Sequence, residues 1–254
     1  MTATQTETPP RPSATPRPLT DRITHDMVMR VLERDYPQGG HGLKLLDAPS
    51  GAGAMSVRMR NFGFNVTCCD IDRGNFEADG FEHVQADLNR TIDLPDGRFD
   101  VVVSIAGLQR LCFAQTAVSE FYRVLKPGGR LYLSVPNFAT LRKRIRFFLF
   151  GTLGPRFDQP QYVQTIEQPE ANFRFPLMYP HVEHMVTSAG FTLRSLHVHP
   201  DDLMRWYYLP LSLLAWSMSR LRAWSNPEKA GAYPRSTTFG MLGSSAYLIV
   251  AEKK

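Results

Sequence analysis

The run Leu45-Leu46-Asp47-Ala48-Pro49-Ser50-Gly51-Ala52-Gly53 constrains this chain more than any other. It reads as a buried strand that ends on an acid and enters a tight glycine turn. A helical segment from Ala54 to about Asn61 comes next. Together these make the first strand-turn-helix of a nucleotide-binding α/β fold. Glycine at 51 and 53 lets the backbone bend sharply and meet a ligand with no Cβ in the way. The helix N-terminus beyond offers unpaired N–H groups to a polar or anionic group.

An ordinary strand-to-helix turn also carries Gly-x-Gly, so the weight comes from the ordered segments further along the chain. Val66 to Asp70 reads as a second strand ending in an acid, and Asp70 lies 17 residues past Gly53. That is the spacing of a carboxylate that binds ribose hydroxyls. A third short strand, His83 to Ala86, ends at Asp87. The fourth, Phe99 to Ser104, is almost continuously apolar, as buried parallel strands are. A helical run then leads into Val124-Leu125-Lys126-Pro127-Gly128-Gly129 and a fifth strand, Arg130 to Val135. Ala246 to Ala251 reads as the closing strand.

Five ordered motifs carry a family resemblance: Asp47 to Gly53, Asp70, Ala86-Asp87-Leu88, Leu94 to Asp100, and Arg123 to Gly129. Over roughly residues 40 to 140 the chain resembles the Rossmann-like, class I S-adenosylmethionine-dependent methyltransferases. A nicotinamide dehydrogenase fits worse, because Ala54-Met55-Ser56 comes after Gly53 where a third glycine is wanted. The resemblance implies an α/β fold with a seven-stranded, mostly parallel sheet. Its last strand is antiparallel, helices cover both faces, and a helical insertion forms a lid. It implies S-adenosylmethionine as cofactor. Asp47 would lie near the amino end of the methionine moiety, Gly51 and Gly53 would line that moiety and the ribose, and Pro49 and Ile105 would also contact the cofactor. Asp70 would bind the ribose hydroxyls, and Asp72 would replace it if the register slipped by two. Ile71 and Leu88 would pack beside the adenine, and Asp87 would accept from its amino group. A carboxylate suits vicinal hydroxyls because charge-assisted hydrogen bonds are about twice as strong as neutral ones. Asp70 capping a loop and Asp87 capping a turn are the bland alternatives.

The chain also departs from the family. Pro49 stands where glycine is frequent, which stiffens the turn. The helix between strands two and three is stunted over Arg73 to Gly80. Leu108-Gln109-Arg110-Leu111 replaces a Glu-His pair, so no catalytic histidine can be carried over there.

The 254 residues suit one domain with an appendage. They divide into a Thr/Pro-rich tail over 1–20, a cofactor-binding core over 21–140, and substrate-side and lid segments with closing strands over 141–254. The tail composition reads as disordered. The net charge of +5 reads first as a solvated basic surface. Cys68, Cys69 and Cys112 have no zinc spacing, and Cys68 and Cys69 should point to opposite sheet faces. With no apolar secretory segment at the start, the expected location is cytoplasmic.

Methyl transfer is an in-line displacement, and positioning supplies much of the acceleration. A base is needed only where the acceptor loses a proton. Candidates are His181 and His184 on a helix running to Ala189, and His197 and His199 on the sixth strand; His181 is the preferred catalytic residue, against a surface or packing role. His181 and His184 have no third ligand in view, so no metal is expected. Ser104 to Leu108 lacks the Asn/Asp-Pro-Pro-Tyr element of DNA amino-methyltransferases, so DNA is not the expected substrate.

Two segments are amphiphilic. Leu141 to Phe150 joins four cations to an apolar end. Trp206 to Met218 is 13 residues interrupted by Pro210, too short for the ~20 residues of a span. Each offers a peripheral membrane contact, and the second also suits a lid or a dimer face; the oligomeric state is open. The expected acceptor is a small molecule, amphiphilic or saccharide-linked, methylated on oxygen or nitrogen. The competing expectation is a non-catalytic, cofactor-binding accessory protein, favoured by the missing histidine and by Asn172-Phe173-Arg174-Phe175.

Overall fold

The computed structural model describes residues 16–153, 174–198, 209–227 and 233–254. Most of the expected tail, Asn172, Phe173, His199 and Trp206 to Tyr208 lie outside them. The elements in chain order are α1 (Arg22–Asp35), β1 (Lys44–Asp47), α2 (Ala54–Asn61), β2 (Asn65–Asp70), β3 (Glu82–Gln85), β4 (Phe99–Ile105), α3 (Ala114–Val124) and β5 (Leu125–Pro136). Then come α4 (Leu141–Phe150), α5 (Tyr179–Ser188), β6 (Phe191–Val198), α6 (Leu209–Ser225), α7 (Tyr233–Ser236), α8 (Phe239–Gly243) and β7 (Ala246–Lys253).

The seven strands form one sheet in the order β3-β2-β1-β4-β5-β7-β6. β1 to β5 pair in parallel, and β7 runs antiparallel to both β5 and β6. This is the Rossmann-like sheet that the resemblance implied. The order reverses between β1 and β4, and a ligand in such a sheet binds at the carboxyl ends beside that reversal.

Both faces of the central strands are covered, which is why they read as apolar runs rather than alternating ones. Leu45, Val101 and Val103 pack under α1 and α2, while Leu46 and Val102 pack with α3 and α5. Cys68 and Cys69 divide in the same way between the two faces. Each fully buried aliphatic side chain contributes about 1.5–3 kcal/mol.

The motifs beyond the glycine turn hold the frame. Arg123 donates to the carbonyls of Ile92 (2.9 Å) and Leu94 (2.7 Å) and pairs with Asp96 and Glu120. It therefore ties the loop before β4 to the end of α3. Lys126 Nζ reaches Asp100 at 2.7 Å, and Asp100 also accepts from the Lys44 amide at 2.9 Å. Gly128 has φ +76, and a Cβ on Gly129 would stand 2.9 Å from the Lys126 carbonyl oxygen. That is the steric reason for two glycines after Pro127. The stunted helix is a single 3-10 turn, Arg73–Asn75, capped by Asp72.

Candidate active site

The carboxyl ends of β1, β2 and β4 open onto a cavity of about 330 Å³. Asp47, Pro49, Gly51, Asp70, Ile71, Asp87, Leu88 and Ile105 all line it. Eight of the ten residues expected from sequence therefore share one space. Gly53 and His181 do not line it.

Each carboxylate is placed by its strand. Asp47 ends β1, is 2% exposed, and accepts from Ser56 Oγ on α2 at 2.6 Å. Burial pushes its carboxyl up to about 7; the Ser56 hydrogen bond opposes the rise and the Asp70 charge adds to it. Asp70 ends β2 and accepts from the amides of Gly51 (2.7 Å) and Asp72 (3.1 Å). It thus pins the glycine turn while lining the cavity, and Asp72 is occupied in capping the 3-10 turn. Asp87 Oδ1 accepts from the Asn89 amide and side chain at 2.9 and 2.8 Å. Asp87 therefore caps its turn and lines the cavity at once.

Gly51 has φ +53, and a Cβ there would come within 3.1 Å of Leu19. Gly53, with φ +88, works differently. A Cβ on it would press on Phe76 at 2.8 Å and Ala78 at 2.9 Å, so its bareness lets the 76–78 loop close on the start of α2. Gly107 makes room for Pro49, whose ring carbon would stand 2.3 Å from an added Cβ. Ala106, between Ile105 and Gly107, holds φ +50, the one positive φ outside glycine among the described residues. Non-glycine residues in that region cost about 1–3 kcal/mol and cluster at functional sites.

The cavity also takes in residues that were not among the expected site residues. His25 on α1 is 5% exposed, lines the cavity, and shares a 2.9 Å hydrogen bond with Thr20 Oγ1. Burial, helped by the Arg58 charge, lowers its pKa below the ordinary value, so the imidazole is neutral at pH 7. Its one legible signal is register: His25 falls on the α1 stripe with Val28 and Leu32, all buried. Arg110 and Arg174 also line the cavity, and the Phe175 amide donates to the Gln109 carbonyl at 2.7 Å. That bond brings the 174–175 segment against the loop after β4.

The histidine preferred from sequence lies elsewhere. His181 is exposed on α5, and α5 packs on α3, β6 and α7 rather than at the cavity. His184 is within reach of Ser188 Oγ at 3.3 Å, and His197 of Ser195 Oγ at 2.8 Å. The helical spacing that linked His181 to His184 carried no information about which end of the sheet α5 covers.

The cavity fits the cofactor that the resemblance implies. Asp47 is a buried acid held by the Ser56 hydroxyl and, among the described residues, paired with no cation, which suits an ammonium ligand. Ser50 Oγ and Gln109 Oε1 are buried without a hydrogen-bond partner among the described residues, and both residues line the cavity. Three carboxylates at three strand ends supply acceptors for an amine, a diol and a ring amino group.

The comparisons with known proteins agree. A family model described as "Methyltransferase domain" matches residues 46–133. A demethylmenaquinone methyltransferase of Beutenbergia cavernae is 32% identical over 123 residues, 45% of this chain and 50% of that one. The demethylmenaquinone methyltransferase of Thermus thermophilus is 30% identical over 176 residues, 59% of this chain and 75% of that one. A ubiquinone/menaquinone biosynthesis C-methyltransferase of Rhodopseudomonas palustris is 27% identical over 191 residues, 67% of this chain and 73% of that one. The chain spans about half the length of several curated relatives it matches, the Beutenbergia protein among them. A solved SAM-dependent methyltransferase of Archaeoglobus fulgidus shares the fold, with TM-score 0.55 at 16% identity over 90% of this chain and 94% of that one.

Proposed function

We propose that this chain, which belongs to the class I S-adenosylmethionine-dependent methyltransferases, transfers a methyl group to a small amphiphilic acceptor. One observation carries the reading: Asp47, Asp70 and Asp87 converge from three strand ends on a single cavity beside the glycine turn. When bound, S-adenosylmethionine supplies a methyl carbon already activated by its sulfonium. Asp47 holds the ammonium of the methionine moiety, Asp70 the ribose hydroxyls, and Asp87 with Leu88 the adenine. Pro49, Gly51, Ile71 and Ile105 shape the walls around it.

On the acceptor side, His25 is the neutral base that takes a proton from an acceptor hydroxyl or N–H, and Thr20 orients its ring. Arg110 and Arg174 set a positive rim that favours an electron-rich or anionic head group. This role for His25 replaces the one expected of His181. The name of the Rhodopseudomonas relative adds a second reading, in which the methyl goes to a ring carbon, with His25 removing the ring proton after transfer. The expected site of action is cytoplasmic, with a peripheral membrane contact through 141–150 or 206–218. Among the described residues no helix is long and apolar enough to cross a membrane.

Calorimetric titration with S-adenosylmethionine and S-adenosylhomocysteine tests the site first. Micromolar binding of both is expected, and binding of neither sinks the reading. An acceptor screen with methyl-13C cofactor then reads whether O, N or C is labelled. Release of S-adenosylhomocysteine separates an enzyme from a non-catalytic accessory protein. His25→Ala should cut turnover about a hundredfold, the scale of general-base catalysis, and leave cofactor affinity unchanged. Equal turnover in the variant would remove His25 from the chemistry.

A further inference from the structure

The helix α6 is built inside out. Its buried residues are Ser212 and Ser219, seven apart on one face. Leu209, Leu211, Leu213, Leu214, Trp216, Met218, Leu221 and Trp224 are all exposed, Trp224 to 82%. A helix on a water-soluble surface carries the reverse pattern. α4 ends in a similar way: Phe147, Phe148, Leu149 and Phe150 are 56–86% exposed, and its one buried residue is Leu141.

The two helices share a foundation. Ser219 Oγ is 2.5 Å from Thr237 Oγ1, and Arg144 Nη2 donates to the Ser236 carbonyl at 3.2 Å. α8 packs against both. Lys143 Nζ and Arg144 Nε are spent on the carbonyls of Asn137 and Ala139 at 2.6 and 2.7 Å, which clamps the start of α4 to the end of β5. That end is also the cavity's edge, because Pro136 lines the cavity. The apolar ends are thus held by the frame rather than hanging from it.

Charge selects the occupant. Arg142 and Arg146 on α4 and Arg220 on α6 are exposed, and neither helix has an acid. A two-fold dimer through this face would set like charges against like. An anionic bilayer surface satisfies both the cations and the exposed aromatic and aliphatic side chains. Tryptophan suits that depth, because its ring is amphipathic.

We propose that α4 and α6 together form one docking surface for an anionic lipid bilayer, placing the cavity mouth at the membrane–water boundary. The proposal rests on the amphiphilic-acceptor reading, since such an acceptor is met at that boundary. It is tested without the reaction. Co-flotation with phosphatidylcholine vesicles, with and without about 30% phosphatidylglycerol, reads the docking at low and high salt. Binding to the anionic vesicles is expected to be at least tenfold tighter than to the neutral ones and to weaken with salt. Combined replacement of Arg142, Arg146 and Arg220 by Gln should weaken it at least tenfold. Phe148→Ser with Trp224→Ser should release the protein from vesicles even at low salt. A circular-dichroism melt verifies that each variant is folded. Folded wild-type protein that ignores anionic vesicles overturns the proposal, as does a dimer in sedimentation that Phe148→Ser with Trp224→Ser dissociates. Vesicle binding without cofactor binding would leave the docking standing and sink the methyltransferase reading; the opposite result would do the reverse.

Discussion

The sheet between β1 and β5 and the helices α4 and α6 obey opposite rules. In the first, Leu45, Leu46, Val101, Val102 and Val103 are fully buried and the polar groups at the strand ends face a cavity. In the second, the side chains turned inward on α6 are serines and those turned outward are leucine and tryptophan. The first region is complete by itself: its hydrophobic surface is spent on folding. The second keeps apolar surface unspent, and such surface marks a place where something else binds. Sequence hydrophobicity alone cannot tell these cases apart, because both read as apolar helices or strands.

The largest expected effect is that of a core truncation. Leu46→Ala should destabilise the fold by about 2–5 kcal/mol in denaturant unfolding, because a fully buried site cannot collapse around the lost atoms. A loss below about 1 kcal/mol would mean that the centre of the sheet is looser than its packing indicates. Next in size is the site itself. Asp70→Ala should weaken S-adenosylmethionine by about 1.5–3 kcal/mol, the range for a hydrogen bond to a charged group. That is roughly ten- to a hundredfold by calorimetry. Because Asp70 also accepts from the Gly51 amide, Asp70→Asn is the useful companion. Unchanged affinity in both variants would assign Asp70 to the turn alone.

The amino-acid sequence displays the sheet region and hides the helical one. The glycine turn and the two faces of Cys68 and Cys69 could be read because each is a local pattern with one stereochemical solution, whereas the seven-stranded, mostly parallel sheet came with the family resemblance. Eight cavity residues came with the family resemblance, whose motifs sit at strand ends, and parallel strands bring their carboxyl ends together whatever the loops do. Gly53 was placed on the ligand because its motif role and its packing role demand the same residue. Only the loop at Phe76 and Ala78 separates them. His25 showed in the sequence only as one position of a buried stripe. It belongs to a helix that precedes the motifs, and only the packing of α1 on α2 and β5 carries it to the cavity. Likewise, the leucines at 209, 211, 213 and 214 fall on the sides of α6 away from Ser212 and Ser219, and an apolar face ordinarily reads as the buried one.

A smaller effect at the site is its dependence on pH. Asp47 has a folded pKa raised from 3.8 to about 7 by burial. Between those values the folded state holds a proton that the unfolded chain has lost, so the ligand-free protein loses stability as pH rises through this window. A bound ammonium reverses the preference, because it favours the carboxylate. Cofactor affinity should therefore climb as pH rises from about 5.5 to about 7.5, by at most about tenfold per unit below 7. Binding at about pH 6 should also release a proton, visible as a dependence of the calorimetric heat on the buffer. Asp47→Asn should flatten the profile. A flat profile in the wild-type protein would place the ammonium elsewhere.

The smallest expected effect tests the other half. Leu213 is 47% exposed on α6 in the free protein. Replacing it with serine loses only about half of a leucine's burial, so Leu213→Ser should cost about 1 kcal/mol, well below Leu46→Ala. The same leucine-to-polar change at Leu46 would be severe, although the two residues are chemically identical. If Leu213→Ser instead costs several kcal/mol, α6 is buried in solution, and the contrast between the two regions fails at its root. If the stability holds while vesicle binding falls, Leu213 serves binding and Leu46 serves folding. The melting curve and the flotation gradient, run on one variant, separate those roles.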